Sequence, residues 1–229
     1  GSSVRGFTDL GKGWVYATSQ SSPVAITLFA DWNATDGEFE YSSGTNKGRL
    51  YVNNKDVTID LNGNTINRNL EEATSDGQVF RIAGSSKLTI VDNSATGNGK
   101  ITGGNNKGNG GAFYIDYGKL YIDGGEISGN SATNGGGIYS TNEDDSFVYI
   151  NGGKITGNTA TENGGAIFME EGFLYMDSGE ISGNYATNNG GGIYWNSENK
   201  LCLTGGKITG NVASDKGDGV YVSNRGYIF

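Results

Sequence analysis

The chain has 229 residues, of which 41 are glycine, and it contains one proline, one cysteine and no histidine. Its formal net charge of −9 gives a phosphate-binding surface no electrostatic support, so we expect no nucleic-acid partner. The lack of histidine excludes Ser-His-Asp triads, Cys-His pairs and histidine zinc sites, and the lone Cys202 excludes an internal disulfide. No apolar run is long enough to span a bilayer as a helix.

The first part of the chain is irregular. Residues 1–23 are predicted to form an N-terminal cap over the first coil of a repetitive domain, because a stack of repeats needs its end covered. From residue 24 onward, stretches beginning at Val24, Val57 and Leu88 show apolar residues at alternate positions, as strands do. The apolar side chains of the predicted cap are Phe7, Leu10, Trp14, Val15 and Tyr16.

Four units that align almost without gaps follow this irregular part. They begin at Leu120, Val148, Leu174 and Leu201, spaced by 28, 26 and 27 residues. Each unit contains three short segments of period-2 alternation separated by turns rich in glycine and asparagine. This pattern predicts three strands per unit, which we name the LYI, EIS/KIT and GIY strands after their sequences.

Three short strands cannot enclose a core, but stacking each strand about 4.8 Å from its equivalent buries a continuous apolar column. The LxxLxL run of a leucine-rich repeat is absent, and a propeller blade needs about 40 residues. We therefore predict an all-β fold over residues 24–229. It is a right-handed parallel β-helix, a solenoid of about seven coils, each with three short strands and about 27 residues.

Within the predicted coils, each position of the repeat forms a ladder along the stack. We expect an inward isoleucine in the EIS/KIT strand, preceded by an outward charge that alternates in sign. We also expect a stacked asparagine at the following turn and a glycine pair before the GIY strand. The charge ladder is Lys100, Glu126, Lys154, Glu180 and Lys207, and the asparagine ladder is Asn130, Asn158, Asn184 and Asn211.

Aromatic residues occupy the outward positions of the LYI and GIY strands and form two predicted stripes on neighbouring faces. Flat rings about 4.8 Å apart can stack on sugar rings or contact a protein partner, so these stripes are the candidate ligand-binding site. Stabilisation of the sheet by the stacked rings themselves is the structural alternative. The candidate residues are Tyr114, Tyr121, Tyr139, Tyr149, Phe168, Tyr175 and Tyr194.

Nearly every acidic residue lies at a repeating position, which indicates a structural role better than a catalytic one. We therefore predict no catalytic residue, no metal ligand and no cofactor. The exceptions are Glu143-Asp144-Asp145 and Glu170-Glu171, where a structural Ca²⁺ ion is an alternative to unliganded surface acids. The strand ends carry a further acidic series, in which Asx turns are favoured over a metal ladder. That series is Asp60, Asp92, Asp123, Asn151 and Asp177.

Repeats of the form GG-(E/K)-I-(S/T)-GN-x-A followed by GG-(A/G)-I resemble those of bacterial right-handed β-helix surface proteins. The GGAI at residues 164–167 is similar to the GGAI signature of chlamydial polymorphic membrane proteins and related autotransporter adhesins, although EISGN or KITGN replaces their FxxN motif. The resemblance implies an extracellular, cell-surface or secreted location. Tyr227-Ile228-Phe229 resembles the start of another LYI strand, so we expect the β-helix to be truncated here and to continue, with further domains, in a longer protein.

Three functions agree with these observations. The leading hypothesis is an adhesin or stalk that binds a glycan, or a host or bacterial surface protein, through its aromatic stripes. Pectate lyases and polygalacturonases share the architecture, so a lyase or hydrolase is an alternative, with the non-repeating Arg49, Arg68, Arg81 and Asp76 as its candidate charges. A cleft lined by the long 66–78 turn would favour this enzyme, whereas a smooth aromatic face would favour the third function, a structural spacer.

Overall fold

The computed structural model describes residues 5–7, 9–21, 23–34, 50–141, 145–223 and 227–228. Within these ranges there are one helix and 24 short strands. In chain order the first elements are α1 (Leu10–Ser19), β1 (Val24–Thr27), β2 (Trp32–Asn33), β3 (Leu50–Asn53), β4 (Asp56–Asp60), β5 (Thr65–Asn67), β6 (Phe80–Val91), β7 (Lys100–Thr102), β8 (Phe113–Ile122), β9 (Glu126–Ser128), β10 (Ser131–Ala132) and β11 (Ile138–Ser140). They are followed by β12 (Ser146–Ile150), β13 (Lys154–Thr156), β14 (Thr159–Ala160), β15 (Ile167–Met169), β16 (Phe173–Met176), β17 (Glu180–Ser182), β18 (Tyr185–Ala186), β19 (Ile193–Trp195), β20 (Lys200–Leu203), β21 (Lys207–Thr209), β22 (Val212–Ala213), β23 (Val220–Val222) and β24 (Tyr227–Ile228).

All strand pairs in the described ranges are parallel. The strands form a parallel β-solenoid of about six turns with roughly 28 residues per turn, which confirms the predicted fold class and lies close to the predicted seven coils of 27 residues. The EIS/KIT strands make a seven-stranded sheet in the order β2-β5-β7-β9-β13-β17-β21.

The LYI and GIY strands belong to one 13-stranded sheet, which we call the long sheet. They are joined because β6 and β8 are continuous strands that contribute a GIY-type segment and then an LYI-type segment. Beyond β8 the sheet divides into two branches, β11-β15-β19-β23 and β12-β16-β20-β24. The two aromatic stripes therefore share one sheet.

A third sheet, of four two-residue strands, was not expected from the sequence. It has the order β10-β14-β18-β22 and follows directly on the asparagine turn of each coil. Each strand contributes an alanine, and Ala132, Ala160 and Ala186 are buried. Segments of two residues are too short for period-2 alternation to be visible, so the sequence pattern predicts only a turn there.

The core is a single apolar column that runs through the solenoid. The inward residues predicted for the three main strands are fully buried in the middle coils, whereas Leu203, Ile208 and Val220 in the last described coil are only partly buried. The EIS/KIT isoleucines pair with one another from coil to coil, at Ile101, Ile127, Ile155, Ile181 and Ile208.

Helix α1 packs against the N-terminal coils. Leu10 and Trp14 belong to the same core cluster, the Trp14 ring meets the Phe80 ring edge-on at 5.8 Å, and the Trp14 indole N–H donates to the Tyr51 carbonyl over 3.2 Å. The helix begins after Asp9, whose carboxylate accepts from the Lys12 N–H at 3.0 Å. The apolar residues of this segment were recognised in the sequence, but its helical state was not; its role as a cap stays a prediction.

The predicted charge ladder has the expected register, as the isoleucine ladder does. The charged residues before the isoleucines pair directly across β7, β9, β13, β17 and β21, and Lys100 and Glu126 form an ion pair of 3.4 Å. The Ser128 hydroxyl and the Lys100 charge lower the pKa of the Glu126 carboxyl, while partial burial opposes them. Because both side chains are about one-third exposed, the pair adds little stability.

The glycine pair before each GIY strand is required by close backbone approach between coils. Gly135 has φ +63°, and a Cβ at Gly136 would lie 2.5 Å from the carbonyl oxygens of both Gly165 and Thr159. A side chain at this corner would separate the stacked coils, so glycine here sets the spacing of the solenoid.

Candidate functional site

The aromatic candidates lie in two rows on the long sheet. We call Tyr121, Tyr149 and Tyr175 the LYI row, and their pairing in β8, β12 and β16 places each ring directly over the next. The second row runs along the other branch of the sheet, and we call it the GIY row. It consists of Tyr114, Tyr139, Phe168, Tyr194 and Tyr221.

The rings of the LYI row are stacked face to face. Centroid distances are 4.5 Å between Tyr121 and Tyr149 and 5.1 Å between Tyr149 and Tyr175, with the planes within 8° of parallel. Phe147 and Phe173 form a second stack beside this row, with centroids 4.7 Å apart. The rings therefore use their faces on one another and offer their edges and hydroxyl groups to a ligand.

Lysines cover the ends of these stacks. Lys87 Nζ lies 5.0 Å from the Tyr121 centroid and Lys119 Nζ 5.1 Å from that of Phe147, while Lys200 Nζ lies 5.9 Å from the Tyr175 centroid at the opposite end. These are cation–π distances. Stacking of sugar rings on the aromatic faces, the contact expected from the sequence, therefore does not fit this geometry. Ligand binding by the row in another manner stays a prediction.

The GIY row is less exposed than predicted at one position. Neighbouring ring centroids in this row lie 4.6 to 5.5 Å apart. Tyr139 lies on the outer face of the sheet, as predicted, but it is packed between Tyr114 and Phe168 and is only 6% exposed. The Tyr139 hydroxyl donates to the Glu170 carboxylate, and burial together with that neighbour raises the pKa of Tyr139 far above its usual value. Tyr139 is thus a buried structural member of the row.

An arginine extends the GIY row toward the N-terminus. Arg81 pairs with Tyr114 in the sheet, and its guanidinium lies 5.3 Å from the Tyr114 ring centroid and 2.6 Å from the Asp116 carboxylate. Burial opposes the charged form of Arg81, but the Asp116 hydrogen bond and charge outweigh it and raise the pKa of the guanidinium. The pKa of the Tyr114 phenol is also raised, by burial first and then by the Asp116 charge.

A cleft of about 220 Å³ opens beside Arg81, between the 66–78 turn and the first ring of the GIY row. The structure thus brings together Arg81 and Asp76 of the charges singled out in the sequence. Arg68 is nearly buried and does not line the cleft, and Arg49 lies outside the described residues. The lining residues are Ser75, Asp76, Gln78, Arg81, Asn106, Gly108, Asn109 and Tyr114.

Three lining amides, Gln78, Asn106 and Asn109, are not among the site residues predicted from the sequence. Gln78 and Asn106 stand where the regular repeats have no amide, so the repeat gives no signal for them. Asn109 precedes a glycine pair as Asn134, Asn163 and Asn189 do, and its Oδ1 accepts from Asn134 Nδ2 at 3.2 Å, so that recurrence is the signal for it. The turn is tied to the next coil through the Thr74 N–H, which donates to the Asn105 carbonyl over 3.0 Å, and through a bridge between Thr74 and Asn106. This long-range pairing creates the wall of the cleft.

The strand-end series contains Asx turns at Asp60 and Asp92. Asp92 accepts the backbone N–H groups of Gly99 at 2.6 Å, Gly63 at 2.8 Å and Ser94 at 3.3 Å, and Asp60 accepts that of Asn62 at 3.0 Å. The contacts to Ser94 and Asn62, two residues after the aspartate, are the Asx-type contacts that the sequence favoured. The contact between Gly63 and Asp92 joins two neighbouring coils instead. Asn151 donates to the carboxylate of Asp123, and Thr204 donates to that of Asp177.

A calcium site stays a prediction. Over the described ranges no group of three or more histidine, cysteine, aspartate or glutamate side chains is placed to hold a metal. Glu143 and Asp144 lie outside those ranges. Glu170 accepts the Tyr139 hydroxyl, and Glu171 accepts from the Ser197 hydroxyl at 3.1 Å, so both carboxylates make contacts within the protein.

One repeat matches a known family. The profile of the Chlamydia polymorphic membrane protein repeat matches residues 154–170, which contain KITGN, GGAI and the outward Phe168 of the GIY row. The match covers 17 residues, less than one coil, and supports the partial similarity inferred from the GGAI sequence. No curated protein and no solved structure shows a significant match.

In the described residues, no helix has the length and apolar character needed to cross a membrane.

Proposed function

We propose that this chain is a surface-displayed β-solenoid that binds glycans through the face of its long sheet. The observation that carries the proposal is the concentration of half-exposed tyrosine edges and hydroxyl groups on that sheet, arranged in straight rows. The polymorphic membrane protein repeat at 154–170 supports a passenger-like role at a bacterial surface, because the family named by the match is one of membrane proteins. An adhesin meets its partner through such a repeated face.

The ring geometry determines how a glycan would be held. Since the faces of Tyr121, Tyr149 and Tyr175 are stacked, the contacts available are hydrogen bonds to the phenol groups and apolar contacts to the ring edges. The pKa of Tyr149 is raised, first by burial and then by its two tyrosine neighbours, so its hydroxyl stays protonated at neutral pH. A row of neutral hydroxyls at strand spacing matches a chain of sugar hydroxyls better than it matches a charged ligand.

A glycan-array screen of the chain tests this proposal. The triple variant Tyr121→Phe/Tyr149→Phe/Tyr175→Phe keeps the stack and removes only the hydroxyls, and it is expected to lose at least tenfold in binding signal without losing stability. Tyr185→Phe is the matched control, because Tyr185 is exposed on the third sheet and its hydroxyl contacts Ser214 instead of the long sheet. A wild-type chain that binds no glycan would contradict the proposal and favour a protein partner or a spacer.

The cleft beside Arg81 favours a second candidate function, a carbohydrate-active enzyme. It is lined by the 66–78 turn and contains Asp76, while Asp116 and Glu170 lie nearby as electrostatic neighbours of Tyr114. However, Asp116 is paired with Arg81 and Glu170 with Tyr139, and a guanidinium paired in this way stays protonated and cannot act as a base. Incubation with plant and microbial polysaccharides distinguishes the functions, because only an enzyme would release reducing ends or unsaturated products.

A further inference from the structure

We propose that Lys87 and Lys119 form an anion subsite beside the LYI row, and that the glycan bound there carries an acidic group, a carboxylate or a sulfate ester. This inference rests on the proposed function and deepens it, because it names the class of glycan. The row itself offers hydroxyl groups, which contact sugar hydroxyls but do not select for charge. The selection for charge comes from the side chains beside the row.

A column of outward residues runs beside the LYI row, two positions earlier in each strand, and we call it the flanking column. Its members follow one another across β6, β8, β12, β16 and β20, so that lysines stand at both ends of a phenylalanine pair. The same side of the row therefore offers positive charge next to apolar rings. The flanking column consists of Lys87, Lys119, Phe147, Phe173 and Lys200.

The first two members of the flanking column are lysines that pair directly across β6 and β8. Like charges in such positions repel each other, and the charge ladder of the EIS/KIT sheet avoids this because each lysine there pairs with a glutamate. In the described part of the chain no carboxylate forms an ion pair with Lys87 or Lys119, although Asp56 is the sheet partner of Lys87 on the other side. An anion bound by both lysines would relieve their repulsion.

Aromatic rings hold both ammonium groups close to the sheet. Lys87 Nζ lies 5.0 Å from the Tyr121 centroid, and Lys119 Nζ lies 5.1 Å from the Phe147 centroid. A cation is attracted to the face of a ring, so these side chains lose less freedom on binding than lysines that extend into solvent. Lys119 is exposed and Lys87 is partly exposed, so an anion can reach the N–H donors of both.

The opposite side of the LYI row is acidic, which gives a bound glycan one orientation across the sheet. Asp123 and Asp177 are exposed at the strand ends, each two residues after a tyrosine of the row. A carboxylate or sulfate on that side would meet like charge, whereas on the side of the flanking column it meets two lysines. The acidic group of the glycan therefore faces the flanking column, and its hydroxyls face the tyrosines.

The attraction has to be local, because the molecule as a whole is negative. The formal net charge is −9, so an acidic glycan is repelled at long range. The interaction of solvent-accessible lysines with an anion is also screened by salt. We therefore expect any preference for acidic glycans to be largest at low ionic strength and to fall as sodium chloride is added.

The test compares the wild-type chain with Lys87→Gln/Lys119→Gln on an array of uronate-containing and sulfated oligosaccharides and their carboxyl-reduced and desulfated forms. Lys154→Gln/Lys207→Gln is the matched control, because both lysines are exposed on the EIS/KIT sheet. Each of these double variants removes two positive charges and changes the formal net charge from −9 to −11. A third variant, Lys87→Arg/Lys119→Arg, keeps the charges and the ring contacts. Circular dichroism and thermal melting verify that each variant is folded.

We expect the wild type, the control and the arginine variant to bind the acidic forms at least tenfold more tightly than the neutral forms, and Lys87→Gln/Lys119→Gln to lose this preference. Wild-type binding that is lost in the Tyr→Phe triple variant but does not distinguish acidic from neutral forms would overturn the anion subsite and leave the proposed function standing. Equal losses in the two glutamine variants would also overturn it, because the effect would then follow net charge instead of position. A wild-type chain that binds no glycan would overturn both.

Discussion

The stacked asparagine satisfies backbone groups in two neighbouring coils at once. Asn158 is fully buried; its Oδ1 accepts the Asn130 backbone N–H at 3.1 Å, and its Nδ2 donates to the Ile127 carbonyl at 2.9 Å and to Asn184 Oδ1 at 3.0 Å. The same pattern recurs from Asn184 to Asn211. At each turn, one amide side chain thus replaces the ladder hydrogen bonds that a turn interrupts.

Replacing this asparagine is expected to destabilise the solenoid strongly. In Asn158→Ala, the Asn130 N–H and the Ile127 carbonyl lose this buried partner, and such groups cost about 1–3 kcal/mol each. We expect the free energy of unfolding in urea to fall by about 3 kcal/mol. Asn151→Ala is the control, because Asn151 is exposed and its side-chain amide donates to the exposed Asp123, and a loss below about 1 kcal/mol is expected. Equal losses in the two variants would refute the structural role of the ladder.

Asp92 makes stability depend on acid pH. Burial raises the pKa of its carboxyl, but the N–H groups of Gly99, Gly63 and Ser94 outweigh burial and lower that pKa. A carboxyl whose folded pKa is lowered stabilises the fold above its unfolded pKa of about 3.9, and this contribution is lost as pH falls through the folded pKa.

Substitution of Asp92 should therefore flatten the acid limb of the stability profile. We expect the stability of Asp92→Asn to decline less steeply than that of the wild type below about pH 4, because the folded and unfolded states then bind the same number of protons at this position. Urea unfolding at a series of pH values measures the slopes, with Asp215→Asn as the exposed control. Parallel slopes for wild type and Asp92→Asn would argue against the assignment.

At the scale of a strand and its turn, coil spacing is set at the glycine corner. Gly136→Ala would place a methyl group 2.5 Å from two carbonyl oxygens of the next coil, and overpacking of this kind typically costs about 1–3 kcal/mol. Gly219→Ala is the control in the last coil, one position later in the repeat, where the nearest atom, Ile208 Cγ2, is 3.5 Å away. Thermal denaturation should show a clear loss for Gly136→Ala and a change within about 0.5 kcal/mol for the control. Similar melting of the two variants would show that the corner tolerates a side chain.

Element by element, the sequence predicted what depends on periodicity. Alternation within each repeat identifies the inward residues of the LYI, EIS/KIT and GIY strands, and the repeat spacing places them in register. Ring orientation has no such signal: the spacing of Tyr121 and Tyr149 shows that they share a row, but face-to-face stacking depends on side-chain torsions. The burial of Tyr139 likewise depends on Glu170, which lies one coil away.

For the whole molecule, two features of the irregular N-terminal part are not predicted, for a related reason. Helix α1 and the wall of the cleft arise from contacts between segments that do not repeat, such as Trp14 with Phe80 and Thr74 with Asn106. A single sequence reveals the contacts that every coil shares. Contacts made once in the molecule become visible only when the chain is folded.

A solenoid in which each coil contacts only its neighbours should not open uniformly. Ile155 is fully buried between paired strands on both sides, whereas Ile208 in the last described coil is only partly buried. We expect the amide of Ile155 to exchange with deuterium more slowly than that of Ile208, by at least tenfold, in native-state hydrogen exchange followed by mass spectrometry. Uniform protection along the solenoid would indicate that it opens as one cooperative unit.

The alternating signs of Lys100, Glu126, Lys154, Glu180 and Lys207 have a consequence for errors in folding. The repeats are so alike that one coil could be left out of the stack as a loop. The coils on either side of it would then pair with each other, and their inward apolar residues and their asparagines would still be in register. Omitting one coil, however, would set lysine against lysine or glutamate against glutamate on adjacent strands, which is unfavourable. Only the loss of two coils restores opposite signs, and that error must close a loop twice as long. The order of the charges thus distinguishes odd coils from even ones and selects against the simplest mistake that a nearly identical set of repeats can make.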